Sequence, residues 1–135
     1  MILNRILPII SLVLFSLCSF ADEIKCNSAG NQLELNACAN DEFIKEDKAL
    51  NKMYQAIIAR ESGDPHYIKN FKRAQLAWLT FRDAELEANF SCDKDDIRIC
   101  WGSMYPMSYS YRKAELTRER NKQLEYILKN GRFTY

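Results

Sequence analysis

Histidine is nearly absent from this sequence: His66 is the only one among 135 residues. The chain also lacks a Gly-x-Ser-x-Gly turn, a glycine-rich phosphate loop and a His-Glu-x-x-His helix, which are short motifs that carry hydrolytic or phosphate chemistry. No segment shows the sustained alternation of apolar and polar residues that is typical of a half-buried strand. The sequence therefore predicts an all-α protein that is not an enzyme.

The first 21 residues have the pattern of a secretory signal peptide. Arg5 is their only charged residue, an apolar run over Ile6–Leu17 follows it, and small residues stand at positions 19 and 21, which a signal peptidase reads. The run is too short for a membrane span, and Leu17 does not fit the small residue expected before a lipid-attached Cys18. We expect an exported protein of the periplasm or the medium. Residues 22–135 are expected to form one domain that is not attached to the membrane once the signal peptide has been removed.

The sequence also has no large excess of positive or negative charge. The chain has 19 Lys and Arg against 18 Asp and Glu, and loss of Arg5 with the signal peptide makes the two numbers equal. A net charge of zero argues against nucleic acid or an anionic membrane as the main partner. Residues 22–47 nevertheless hold seven acidic residues against Lys25 and Lys45, whereas the stretch from Arg112 onward is basic. We expect one acidic end, provided that folding does not interleave these two regions.

Four cysteines remain after signal removal: Cys26, Cys38, Cys92 and Cys100. An even number in an exported chain indicates two disulfide bonds. Three pairings are possible, and we favour the two local ones, Cys26–Cys38 and Cys92–Cys100, each of which stabilises by roughly 3 kcal/mol in the chain-entropy model. A zinc site requires closely spaced cysteines or histidines, so no metal ion and no other cofactor is predicted.

Three amphipathic segments predict an up-down-up bundle of three main helices with short connections. These segments cover residues 32–61, 65–89 and 103–129. Asp64 is the expected N-cap of the second helix, and Pro65 suits its first turn because the missing N–H has no partner there. Residues 91–102 contain a run of charges and are predicted to form a loop that the Cys92–Cys100 disulfide holds.

The segment Cys100–Tyr111, CWGSMYPMSYSY, combines turn-forming residues with aromatic residues and methionine. Its later half continues the apolar face of the third helix through Tyr111 and Ala114, so we expect this half in the core. Its earlier half, at the entrance of the helix, comprises Trp101, Gly102, Ser103, Met104 and Tyr105. These residues either fold back onto the bundle, with Ser103 as helix N-cap, or form an exposed recognition tip.

Three motifs occur in order along the chain. The stretch NQLELNACANDEFIKEDKALNKMY contains Gln-x-Glu-x-Asn-x-Cys-Ala and then Asp47-x-x-Leu50-Asn51-x-x-Tyr54. AQLAWLTFRDAE contains Ala-Gln-x-Ala-Trp-x-x-Phe-Arg-Asp, and GSMYPM is followed by Leu116-Thr117-x-x-Arg120. Together these motifs resemble the LprI-like family of small exported bacterial proteins, some of which are lysozyme inhibitors. The resemblance covers nearly all of the chain after the signal peptide.

The chain departs from the family pattern at two positions. Family members usually carry one cysteine just after the Phe-Arg-Asp motif and another shortly before the Thr-x-x-Arg motif, where this sequence has Leu86 and Arg112. In other family members these two cysteines would form one disulfide bond between the second and third helices. The loss of one would then make the other unnecessary, so their joint absence here is expected. Cys92–Cys100 is then interpreted as a local substitute.

The motifs also place polar residues on or beside apolar helical faces: Gln75, Arg82, Asp83, Thr117 and Arg120. We interpret them as a structural hydrogen-bond network that joins two helices, with Arg82 and Asp83 as a charged pair and with Thr117 and Asn51 as neutral partners. Such a network determines which helices meet, because buried polar groups must be satisfied. A structural role is favoured over a catalytic one.

The resemblance implies an exported protein that binds and inhibits a cell-wall-cleaving enzyme, either lysozyme or another peptidoglycan hydrolase. The predicted partner-binding residues are those of the possible tip, Trp101, Gly102, Ser103, Met104 and Tyr105, because aromatic anchors ringed by polar groups dominate the binding energy of many interfaces. A second class of function stays open, that of an envelope interaction protein or immunity protein without activity towards lysozyme.

Overall fold

The structure is a computed structural model that describes residues 24–132, so the predicted signal peptide, residues 1–21, lies outside it. The described chain has three long helices, one short helix and a 3₁₀ turn, and no strand. In chain order these elements are α1 (Gln32–Arg60), α2 (Pro65–Asn89), α3 (Ile97–Trp101), the 3₁₀ turn Gly102–Met104 and α4 (Tyr105–Asn130). The predicted all-α fold with three main helices is confirmed. Within residues 24–132, no helix has the length and apolar character that crossing a bilayer demands.

The first and last helices, α1 and α4, lie side by side and run in the same direction. At the start of α1, the Gln32 amide is 3.8 Å from the sulfur of Met107. At the end of α1, the Arg60 guanidinium donates hydrogen bonds to the carbonyl oxygens of Ile127 and Leu128, at 3.1 and 3.2 Å. α2 runs antiparallel to both, which gives the predicted up-down-up order.

The hydrophobic core forms where the three long helices meet. Leu50 and Ile57 of α1, Phe71 of α2 and Leu124 of α4 make one buried cluster. The ring of Tyr54 stacks on Phe71 with 5.5 Å between centroids. The backbones of α1 and α4 are close along most of their length, whereas α1 and α2 meet mainly through long side chains.

The starts of α1 and α2 are fixed by side-chain caps. Asn31 accepts a hydrogen bond from the backbone N–H of Glu34, whose carboxylate accepts one from the backbone N–H of Asn31, a reciprocal capping box. At α2, the Asp64 carboxylate accepts from the backbone N–H of Tyr67 at 2.9 Å, as predicted for an N-cap. This hydrogen bond, together with one from Arg132, holds the pKa of Asp64 below its ordinary value.

Both predicted disulfide pairs are present, and both lie at one end of the bundle. Cys26–Cys38 ties the chain before α1 to the first turns of that helix, and Cys92–Cys100 ties the early part of the α2–α3 connection to α3. Because the start of α1 is beside the start of α4, the two disulfides share this end with α3 and the 3₁₀ turn. We call it the disulfide end.

The predicted loop over residues 91–102 is wrong in part. Asp96 accepts a hydrogen bond from the backbone N–H of Arg98 and caps the short helix α3. Gly102 then has a φ of 62°, in the left-handed region that favours glycine. This residue interrupts the α-helical conformation, so α4 begins only at Tyr105. The N-cap residue of α4 is Met104, whose side chain makes no capping hydrogen bond. The prediction that Ser103 is the N-cap is therefore wrong.

A seam of polar contacts that the sequence did not predict joins α1 to α4. Arg118 makes ion pairs with Glu42 and with Glu46, the latter at 3.0 Å. The side-chain amide of Asn121 donates to the backbone carbonyl of Glu46 at 3.0 Å and to its carboxylate at 2.9 Å. The acidic end was expected only if the acidic and basic regions did not interleave, and this condition is not met, because Arg118 of α4 lies directly beside Glu42 and Glu46 of α1.

Candidate functional site

An aromatic cluster centred on Phe90 lies at the disulfide end. The ring centroid of Phe90 is 5.0 Å from Trp101, 5.7 Å from Tyr105 and 5.5 Å from Tyr109. The first two contacts are edge-to-face, an arrangement that aromatic rings favour. Burial raises the pKa of the Tyr109 hydroxyl above its ordinary value. The cluster anchors the start of α4 to the end of α2, so the aromatic residues do fold back onto the bundle.

The surface next to this cluster is nonetheless exposed. We define the tip as residues 97–105, which comprise α3, the 3₁₀ turn and the first residue of α4. Neither α3 nor the 3₁₀ turn contains a buried residue. Trp101 is 38% exposed, Met104 53% and Ile99 69%, while Tyr105 is half-buried. Four of the five predicted binding residues are therefore accessible, and Ile99, which sequence reasoning missed, adds to the same surface.

Four contacts hold the tip against the bundle: the Cys92–Cys100 disulfide, the packing of Trp101 and of Tyr105 on Phe90, and a long hydrogen bond of 3.4 Å from the Trp101 indole N–H to the backbone carbonyl of Ser91. Since no residue of α3 is buried, apolar burial contributes little to the conformation of this segment. The tip is an exposed surface whose conformation depends on a covalent bond and on the two aromatic contacts with Phe90.

The sequence that leads into the tip is rich in carboxylates. Residues 83–101 contain six acidic residues against two basic ones: Asp83, Glu85, Glu87, Asp93, Asp95 and Asp96 against Lys94 and Arg98. The Asp96 carboxylate accepts hydrogen bonds from the Arg98 guanidinium and from the Arg98 backbone, which lower its pKa and keep it ionised. Four of the six carboxylates are paired with basic side chains, and Glu87 and Asp95 make no ion pair within the described residues, so an excess of negative charge stays in this part of the molecule.

The predicted polar network is divided between two places. The Arg120 guanidinium donates to the Gln75 side-chain oxygen at 3.1 Å, and this bond joins α4 to α2. Burial lowers the pKa of Arg120. The Thr117 hydroxyl, although buried, donates to the Lys113 carbonyl within α4, and Asn51 donates to Asp47 within α1. Only the Gln75–Arg120 contact has the interhelical role that we predicted.

Arg82 is buried, with 7% of its surface exposed. Its guanidinium donates to the Asp83 carboxylate at 2.9 Å, but both residues lie on α2, so the expectation that this pair joins two helices is wrong. The link to α1 is a stacking contact: the guanidinium carbon is 6.0 Å from the ring centroid of Phe43 and 5.4 Å from that of Trp78 on α2. Nη1 of Arg82 has no hydrogen-bond partner within the described residues.

The two positions at which the family pattern led us to expect cysteines have other roles. Leu86 is fully buried. Arg112 on α4 pairs with Glu85 on α2 at 3.1 Å and with Glu115 on its own helix at 2.8 Å. An ion pair therefore connects α2 to α4 at this level in place of a covalent bridge, and Leu86 adds a buried apolar side chain.

One group of potential metal ligands lies at the disulfide end. The sulfur atoms of Cys92 and Cys100 and the carboxylate of Asp93 are close to one another. The two sulfurs are joined in a disulfide bond, so neither is available as the thiolate that binds a metal ion.

Comparison with known proteins agrees with the resemblance of the motifs. The family model described as lysozyme inhibitor LprI matches residues 24–124. An uncharacterized protein of Rhizobium meliloti (strain 1021) is 32% identical over 120 residues, which cover 81% of this chain and 82% of that protein. No solved structure matches the chain. Since the family model covers α1, α2, the tip and most of α4, the chain belongs to the LprI family of lysozyme inhibitors.

Proposed function

We propose that this protein is exported and that it inhibits lysozyme, or another enzyme that cleaves peptidoglycan, by binding to it without catalysis. Family membership over residues 24–124 carries this proposal. Removal of residues 1–21 by a signal peptidase places the folded domain in the periplasm or the medium, where such enzymes act.

The tip is the surface that best fits such a partner. Hydrolases that bind polysaccharides have concave sites, and the tip lies at the disulfide end with Trp101, Met104 and Ile99 exposed. Large side chains of this kind, with Trp and Tyr foremost, are frequent anchors of binding energy. The carboxylates that precede the tip in the sequence complement a lysozyme, because lysozymes are strongly basic, and complementary charge accelerates association and selects the partner.

A turbidity assay tests the function directly. Lysozyme clears a suspension of bacterial cell walls, and the purified domain, residues 22–135, is expected to slow this clearing in a dose-dependent and saturable way. An unrelated acidic protein of similar size is the control for non-specific charge effects. Clearing at the normal rate in a large molar excess of the domain would contradict the proposal and would favour an envelope interaction protein or immunity protein.

The contact site is tested with the double variant Trp101→Ala/Tyr105→Ala. We expect inhibition to weaken at least tenfold, which corresponds to about 1.4 kcal/mol of binding free energy. The variant removes the indole ring of Trp101, the proposed anchor of the contact, and the nearby phenol ring of Tyr105. Helicity by circular dichroism should not change, since neither residue belongs to the main core. The matched control is Phe81→Ala/Tyr111→Ala, which removes two exposed rings outside the tip. Equal inhibition by both variants would place the contact on another surface, and loss of helicity in the tip variant would show that the aromatic cluster is structural.

A further inference from the structure

Two adjoining hollows run along α2, and none of their lining residues belongs to the tip. We call these two hollows together the groove. The backbones of α1 and α2 stay apart, whereas α1 and α4 are close together. The first hollow, of about 440 Å³, lies between α1 and α2. The second, of about 530 Å³, is lined by α2 and by Ser62 of the turn before it, and the two hollows share Lys72 and Leu76. The first reaches Arg82 and the second reaches Pro65. Roughly 26 Å of helix separates these two residues at 1.5 Å per residue.

The walls of the groove supply apolar surface. Leu50 at its base is buried, and Tyr54 and Leu79 are half-buried. Leu76 stands at the mouth with 65% of its surface exposed, although its neighbours in the groove are apolar. Leu76 therefore offers an exposed apolar side chain to an occupant of either hollow.

The rim of the groove is positively charged. Lys69, Lys72 and Arg73 line its second half, and within residues 24–132 none of the three makes an ion pair or a side-chain hydrogen bond. Asp47 is the acidic residue that lines the groove, and its carboxylate already accepts from Asn51. Three unpaired cations against one carboxylate favour an anionic occupant.

We propose that this groove binds an acidic amphipathic helix of another protein. The length of the groove fits a helix of about five turns, whereas a compact small molecule fills only one hollow. The apolar side chains of such a helix pack on Leu50, Leu76 and Leu79, and its carboxylates meet Lys69, Lys72 and Arg73, as in other helix-in-groove complexes. The bound helix lies along α2 and contacts α1 only at the first hollow, where Leu50 lies. This surface is separate from the tip and does not depend on the inhibition of lysozyme.

The test uses a synthetic 18-residue peptide with leucine at helical spacing and glutamate at the other positions. Fluorescence anisotropy of the labelled peptide should show saturable binding that weakens as salt is added, because the rim charges are screened. The variant Lys69→Glu/Lys72→Glu/Arg73→Glu should weaken binding at least tenfold, and Leu76→Ser should weaken it several-fold. The matched control is Lys45→Glu/Lys48→Glu/Lys52→Glu, which makes the same change of charge on the outer face of α1 and should bind as the native protein does.

Three further measurements separate the proposal from its rivals. A peptide with lysine in place of glutamate should not bind, and Trp101→Ala/Tyr105→Ala should bind the acidic peptide normally. Equal affinities of the two charge-reversal variants, or amide shifts in an NMR titration confined to the tip, would overturn the proposal. Vesicles of phosphatidylglycerol provide the last arm: binding to these vesicles that requires Lys69, Lys72 and Arg73, without binding to the peptide, would assign the groove to a membrane surface instead.

Discussion

Replacement of Leu124 by alanine is expected to lower the free energy of unfolding by about 2–5 kcal/mol, the usual range for a buried leucine. Leu124 is fully buried and contacts the core residues of α1 and α2. Only seven hydrophobic residues of the described chain are buried, so few neighbours are available to fill the space that the leucine leaves. Urea denaturation followed by circular dichroism at 222 nm measures the loss.

The matched control for this prediction is Leu76→Ala. It makes the same chemical change at a residue that is 65% exposed, and a change of less than about 0.5 kcal/mol is expected for a surface site. Small domains are stable by only about 5–15 kcal/mol, so the core variant should unfold at a clearly lower urea concentration than the control. Similar midpoints for the two variants would show that α4 is not packed as described.

The second large effect is expected for Arg82→Ala, which should cost about 1–3 kcal/mol of stability. The alanine removes the planar group that lies between Phe43 and Trp78 and that connects α1 to α2. The ion pair with Asp83 contributes little, because the Asp83 side chain is 54% exposed and exposed ion pairs are weak. Inhibition by the folded variant should not change, because Arg82 is buried and is not one of the residues of the tip.

Two further substitutions separate packing from charge at this position. Arg82→Met keeps most of the side-chain volume without the charge and should recover much of the lost stability, because replacement of a buried charge by a well-packed apolar group is often neutral. Arg82→Lys keeps the charge but loses the planar stacking group, so it should resemble the alanine variant more closely. An unchanged denaturation midpoint for Arg82→Ala would place this residue on the surface and make it a candidate for binding.

The sequence was sufficient for the three long helices, because each has an apolar face with helical period and the turn between the first two contains Asp64 and Pro65 in their preferred positions. The short helix α3 was not predictable in the same way. It has only five residues and no buried face, so no periodic pattern marks it. Its conformation comes from the Asp96 cap and from the disulfide at Cys100, and a cap in a run of charges resembles an ordinary exposed loop.

Side-chain partners were harder to predict than helices. Tyr111 continues the apolar period of α4, but it is 45% exposed, so the expectation that it lies in the core is wrong: the buried face centres on Ala114, Thr117 and Asn121. The seam of Glu42 and Glu46 with Arg118 and Asn121 was missed because charged residues in a helix are usually solvated. Their pairing requires the relative register of α1 and α4, and this register depends on tertiary packing.

The parallel pairing of α1 with α4 has a consequence for how the chain folds. The most closely packed helices are the first and the last, and the whole of α2 and the tip separates them along the chain. Their contacts therefore have high sequence separation, and the entropy of closing this long loop is lost before the core forms. Leu50 and Ile57 share their buried cluster with Leu124 of α4, so α1 and α2 alone cannot complete the core. A chain that is synthesised or exported with its N-terminus first therefore cannot finish folding until α4 has followed.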